Sequence, residues 1–152
     1  MTNTDPIVLI ETAKGKIKCQ IFQNDAPITA ANFLDLVNRG FYNGLTFHRY
    51  EPGFCLQGGD PDGTGRGGSG KTIPLEVKPH LKHDEAGIMS MARTNDPNSA
   101  TSQFFFTLGN ASFLNMQYAV FGKVIEGLEI MMSLRAGDKM DKVTVMNAVP
   151  NA

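Results

Sequence analysis

The chain has 152 residues, the length of a single domain that can bury roughly 70% of its unfolded surface without disulfides or a structural metal. Its 14 basic and 15 acidic residues leave a net charge of −1, which gives no electrostatic footprint for DNA, RNA or an anionic membrane. Cys19 and Cys55 form no metal or redox motif, no apolar run reaches the length of a membrane span, and the first 15 residues lack a secretory signal pattern. The expectation is one domain over residues 1–152, soluble, cytoplasmic and monomeric, with no nucleic-acid or membrane partner.

Ile7–Thr12 is an apolar run, and Ile17, Cys19 and Ile21 alternate with Lys16, Lys18 and Gln20. The two read as a β-hairpin with Cys19 on its core side. Asp25 is positioned to cap a helix starting near Pro27, with Ala30, Phe33, Leu34 and Val37 on its core face and Gly40 ending it.

In Phe47–Gly59, strand alternation places Phe47 and Arg49 on one face and His48 and Tyr50 on the other. Glu51-Pro52-Gly53 breaks the strand. Phe54, Leu56 and Gly58 then alternate with Cys55 and Gln57 on a second strand. An arginine among aromatic side chains either snorkels to the rim and pairs with a carboxylate, or has chemical work to do.

Asp60–Pro74 is a polar, glycine-rich loop, and Glu76–Glu85 is irregular. Ile88–Ala92, Gln103–Leu108, Tyr118–Val124 and Lys142–Val149 read as further strands. Glu126–Arg135 reads as a second amphipathic helix on Leu128, Met131, Met132 and Leu134. Many strands, two separated helices and no βαβ alternation point to a mainly antiparallel β protein, and closing a barrel would remove its edges.

Two motifs compete for attention. Gly63-Thr64-Gly65-Arg66-Gly67-Gly68 satisfies G-x-G-x-x-G, which binds a dinucleotide only between a strand and a helix N-terminus. Pro74 and the absence of a helical pattern after it argue against that context. His80 and His83 have a spacing that zinc could use on a helix, but no third ligand is evident. No cofactor or metal is expected. No Ser or Cys sits in a nucleophile setting, and His48 reads as a structural histidine rather than a base.

In the order FHR, PGF, QGGD, GTG, MAR, SQFF, FL and VFGKV, from about Ile7 to about Val149, the chain resembles the cyclophilins, a family of peptidyl-prolyl cis–trans isomerases. The resemblance implies a closed eight-stranded antiparallel barrel capped by two α-helices. It implies activity on X-Pro bonds of peptides and unfolded protein chains, assistance to folding, no cofactor, and affinity for cyclosporin-type macrocycles. Residue by residue, it gives Arg49 the catalytic role, with Gln57 holding the arginine and contacting substrate. Phe54, Phe105 and Leu114 become the walls of a proline pocket, with Cys55 where many relatives have methionine. Ala92 and Arg93 fall on the strand whose backbone pairs with the peptide, and Gln103 lines an adjoining pocket. Phe113 stands for a tryptophan and Tyr118 for a histidine of many relatives, which points to weaker macrocycle binding.

The lack of an acid–base pair suits such chemistry. Prolyl isomerisation transfers no net proton, and its barrier of roughly 18–20 kcal/mol reflects lost amide resonance. In the twisted state the proline nitrogen regains a lone pair, so a fixed donor aimed there favours the transition state over either ground state. Two other readings stand beside this one. One is a scaffold module that holds proline peptides while turnover is secondary; the other is a nucleotide-binding enzyme resting on Gly63–Gly68.

Overall fold

In a computed structural model, the structure describes residues 5–146. The first hairpin joins β1 (Ile7–Thr12) to β2 (Gly15–Ile21), with Ile10 opposite Ile17 and Val8 opposite Cys19. All four of these side chains are fully buried, which is what strict alternation over a core requires. Burial pushes the Cys19 thiol far above its ordinary pKa, so it stays a neutral, apolar group.

Helix α1 spans Pro27–Asn38. Its core face is Thr29, Ala30, Phe33, Leu36 and Val37; Leu34, expected in that face, is only half-buried. Phe33 anchors it, with ring centroids 5.1, 5.3 and 4.9 Å from those of Tyr42, Phe104 and Phe121. Burying such a ring is worth about 1.5–3 kcal/mol. The C-terminus closes as expected: Gly40 has φ +74°, its N–H donates to Val37 O, and Phe41 N–H donates to Leu36 O. Those paired bonds form a Schellman motif.

The N-terminus of α1 differs from expectation. Ala26 is the N-cap and makes no side-chain cap, while Asp25 faces His80 at 3.5 Å. The cap comes instead from Glu76, whose carboxylate accepts from Ile28 N–H at 3.2 Å and Thr29 N–H at 2.8 Å. A carboxylate at this end also meets the positive pole of the helix dipole. Glu76→Ala is expected to cost about 0.5–2 kcal/mol of stability, measured by urea unfolding, whereas Asp25→Ala should cost less.

The remaining strands are β3 (Leu45–Glu51), β4 (Cys55–Gly58), β5 (Ile88–Met91), β6 (Phe104–Thr107), β7 (Val120–Glu126), β8 (Lys139–Met140) and β9 (Lys142–Met146). They form one antiparallel sheet in the order β8-β3-β4-β6-β5-β7-β2-β1-β9. Nine strands are counted among the described residues, one more than expected, because Lys139–Met140 forms a short strand of its own, set off by a break at Asp141 from the strand that begins at Lys142. That break lets one stretch of chain serve both edges. Met140 pairs with Leu45 on one side, and Val143 pairs with Ile10 on the other. Asp141 N–H donates to Glu11 O between them, so the barrel is nearly closed. The final strand was expected to reach Val149, and its last three positions lie outside the described residues.

The second helix is shorter than its sequence pattern. Glu126 belongs to β7, and α2 runs only Leu128–Ser133. Gly127 separates them at φ +85°, with its α-carbon so close to Lys16 O that a side chain would collide. Only Met131 of α2 is buried; Leu128 and Met132 are exposed, and Leu134 packs into the core from just beyond the helix. No helix among the described residues is long and apolar enough to cross a membrane.

Candidate active site

Alternation in the sheet creates two apolar clusters, one on each face. Leu56, Phe104, Phe106, Met89 and Met91 point into the main core. Cys55, Phe105, Ala111 and Leu114 form a second cluster on the outer face, flanked by Phe54, Ala92 and Tyr118. The triple phenylalanine 104–106 is therefore divided, two rings to the core and one outward.

A β-bulge delivers the arginine to the outer face. Phe47 pairs with Gly58 but Arg49 pairs with Gln57, so His48 is the extra residue on β3. The bulge reverses the alternation read from the sequence. Phe47 is fully buried in the core, Tyr50 packs against that core, and Arg49 lies on the opposite side from both. Phe54, expected on the face of Leu56, is likewise with the outer cluster, because it belongs to the turn preceding β4.

A cavity of ≈ 140 Å³ is lined by Arg49, Phe54, Cys55, Gln57, Ala92, Arg93, Phe105, Leu114 and Tyr118. An adjoining depression of ≈ 530 Å³ shares Gln57, Ala92 and Arg93 and is otherwise lined by Gln103, Thr101 and the glycine loop Gly65–Gly70. Phe113 is 67% exposed at the rim and stacks on Phe54, centroids 5.7 Å apart. Burial raises the pKa of the Cys55 thiol, with nearby Arg49 opposing and Glu51 adding to the rise. The pocket wall there is neutral.

A relay of amides fixes the arginine. Arg49 Nη1 donates to Gln57 Oε1 at 3.3 Å, Gln57 Nε2 to Gln103 Oε1 at 2.9 Å, and Gln103 Nε2 to Gly67 O at 2.8 Å. A guanidinium can only donate and a carbonyl can only accept, so both amide orientations follow from the two ends. Arg49 Nε also faces Glu51 at 3.5 Å, and its guanidinium lies 5.8 Å from the Phe54 ring centre. The Gln57 bond engages one of its five N–H donors, and the exposed Glu51 carboxylate stands by as an ion-pair partner. Arg93 is held over the Tyr118 ring at 4.5 Å and donates to Gln117 O and Thr94 O.

The competing motifs resolve differently. The glycine loop wraps an internal anion: buried Asp60 accepts from the N–H groups of Asp62, Thr64 and Gly65 at 2.9, 2.9 and 2.6 Å. No helix follows before Ile88, so the strand–helix setting that a dinucleotide needs is missing. His80 and His83 part company; His80 is exposed beside Asp25, while His83 is fully buried behind Phe105. No group of three or more His, Cys, Asp or Glu is placed to hold a metal among the described residues. His48 is not among the residues lining the small cavity, and burial lowers its pKa, with Arg49 also lowering it and Asp60 opposing.

The described residues thus place an apolar slot, with an arginine at its lip, on the outer face of an antiparallel barrel. The model of the family described as cyclophilin type peptidyl-prolyl cis-trans isomerase/CLD matches residues 7–150, and the chain belongs to that family. It is 46% identical over 141 residues to peptidyl-prolyl cis-trans isomerase-like 3 of Rattus norvegicus, covering 91% of this chain and 83% of that one. It is also 46% identical over 142 residues to a peptidyl-prolyl cis-trans isomerase of Synechococcus elongatus, covering 91% and 94%. Among solved structures, a cyclophilin type isomerase of Cryptosporidium parvum crystallised in the presence of the dipeptide Ala-Pro superposes with a TM-score of 0.86 at 34% identity, covering 93% of this chain and 99% of that one. The chain is a peptidyl-prolyl cis–trans isomerase by family.

Proposed function

We propose that the outer groove isomerises X-Pro bonds in peptides and unfolded chains, and so assists folding, by stabilising the twisted amide with Arg49. The observation that carries this reading is the guanidinium set at the lip of an apolar cavity by the Gln57–Gln103–Gly67 relay. The proline ring enters the slot between Phe105 and Leu114. Phe54 and Cys55 keep water from the bond, which strengthens the donor's effect. Arg49 donates toward the proline nitrogen as its lone pair appears, and its second arm steadies the neighbouring carbonyl. Residues before the proline run past Ala92 and Arg93 into the larger depression beside Gln103. The structure of the Cryptosporidium parvum relative in the presence of the dipeptide Ala-Pro supports a proline-containing peptide as the ligand class.

The test is exchange of an Ala-Pro peptide, measured by NMR after chelator treatment and again with divalent metal added. Exchange should be much faster than the intrinsic tens to hundreds of seconds in both cases. The intrinsic rate in both would reject the reading.

Macrocycles of the cyclosporin type should bind the same groove, but weakly. Phe113 has no indole N–H to offer, and an acceptor left unsatisfied costs about 1–3 kcal/mol. Phe113→Trp should therefore tighten binding by about 5- to 150-fold, measured by calorimetry. No gain would show that the missing donor is not what limits affinity.

A further inference from the structure

His83 is fully buried, and the groove chemistry leaves it without a role. Its ring stacks on Phe105 with centroids 6.2 Å apart and planes 15° from parallel. Its backbone accepts from Ala111 N–H at 2.7 Å and donates to Asn115 Oδ1 at 2.7 Å. The same Asn115 oxygen lies 3.0 Å from His83 Nδ1, and Ser90 Oγ lies 2.9 Å from Nε2.

These contacts define the protonation state. The backbone N–H of His83 can only donate, so the Asn115 atom beside it is the oxygen. That oxygen can only accept, so Nδ1 carries the proton. Nε2 is then an acceptor, and the fully buried Ser90 hydroxyl donates to it. A second proton on Nε2 would reverse that hydroxyl and place a cation in the outer apolar cluster.

We propose that His83 is a positioning residue for the proline pocket: its neutral ring ties the turn bearing Phe113 and Leu114 to β5 and backs Phe105 from behind. The inference rests on the isomerase reading of the groove. Asn115 and Ala111 flank the 3-10 turn Ser112–Leu114, and Ser90 lies on β5, whose extension is Ala92. Protonation therefore loosens two walls of the slot at once. The elements packed against the ring, β5, β6 and the 3-10 turn, carry no charged side chain; the charged neighbours are Lys82, Asp84 and Glu85 on its own segment. Burial holds the pKa of His83 below 6.5, with the Asn115 bond and Asp84 opposing. The neutral lock thus persists above that range and is lost as pH falls below it.

The experiment is kcat and KM for an Ala-Pro peptide from pH 5 to 8, beside ring ¹⁵N and ¹H titrations of the three histidines. His80→Gln and His83→Gln assign the resonances. His83 should show the Nδ1–H tautomer, and an acid fall in kcat/KM should share its midpoint, mainly through KM. Asn115→Asp places a carboxylate on Nδ1 and should move both midpoints up by about one to three pH units, into a range where acid unfolding does not interfere. Ser90→Ala, which removes the hydroxyl that a protonated Nε2–H would need as its acceptor, should move both midpoints down together. An activity fall that tracks another histidine, or that stays put while the His83 midpoint moves, overturns the proposal. Absence of turnover at pH 8 would instead tell against the isomerase reading, whatever His83 does.

Discussion

Arg49→Lys is expected to lower kcat/KM by about 10- to 150-fold with the fold intact, because losing one well-placed charge-assisted bond costs about 1.5–3 kcal/mol. Both side chains are cations, so a site that needed only local charge would tolerate the exchange. The relay argues otherwise. Gln57 Oε1 offers a single acceptor, and Arg49 meets it with one arm while its Nε faces Glu51. A planar fork held in this way has its remaining donors fixed in direction. Lysine turns freely about its terminal bond, and holding it at Gln57 leaves no rigid second arm for the substrate. Peptide affinity should change less, because Phe105, Leu114 and Phe54 still form the slot. Circular dichroism confirms folding of the variant, and Arg49→Ala marks the floor.

The second large effect is on stability. Asp60→Ala should lower stability by about 3 kcal/mol or more, since a carboxylate bond is worth about 1.5–3 kcal/mol and several are lost together. Asp60 is 1% exposed and collects N–H groups from Asp62, Thr64 and Gly65, with the Thr64 hydroxyl at 3.3 Å. Burial alone would raise its pKa, but the N–H groups of Asp62, Gly67, Gly65 and Thr64 outweigh that and lower it from 3.8 to about 2. The folded carboxyl thus binds a proton less readily than the unfolded one. Its stabilising contribution is complete above pH 3.8 and is lost as pH falls toward about 2. A drop of this size should lower the thermal midpoint by about 6–12 °C, followed by circular dichroism. Activity should also suffer, because the loop supplies Gly67 O to the relay. A variant melting within a degree or two of wild type would show that the loop has other anchors.

The parts of this molecule that were legible in the sequence are those decided by local pattern. The β1–β2 hairpin follows from alternation, and the end of α1 from Gly40. The lining of the slot came as a set, through the family resemblance, and the structure brings Arg49, Phe54, Cys55, Gln57, Ala92, Arg93, Phe105, Leu114 and Tyr118 around one cavity. Gln103 lines the adjoining depression and Phe113 stands at the rim. What alternation could not show is the bulge at His48, where one additional residue moves Arg49 to the opposite face from Phe47. The cap of α1 was hidden for a different reason: Glu76 is 48 residues beyond Ile28 in sequence. The end of β7 at Gly127 depends on the close approach of Lys16, a tertiary contact that the helical pattern of Leu128–Leu134 does not encode. His83, Ser90 and Asn115 are unremarkable where they stand in the chain, and only folding places them behind Phe105.

The central claim is that Arg49 acts on the twisted amide rather than on the bound ground states. It is tested most directly by NMR line-shape analysis of an Ala-Pro peptide titrated with wild type and with Arg49→Lys. Such data separate the cis–trans rate on the enzyme from the dissociation constants of the two isomers. The account predicts that the on-enzyme rate falls by the full 10- to 150-fold or so, while both dissociation constants change little. An on-enzyme rate close to wild type in the lysine variant, or a loss carried wholly by weaker binding, would contradict it.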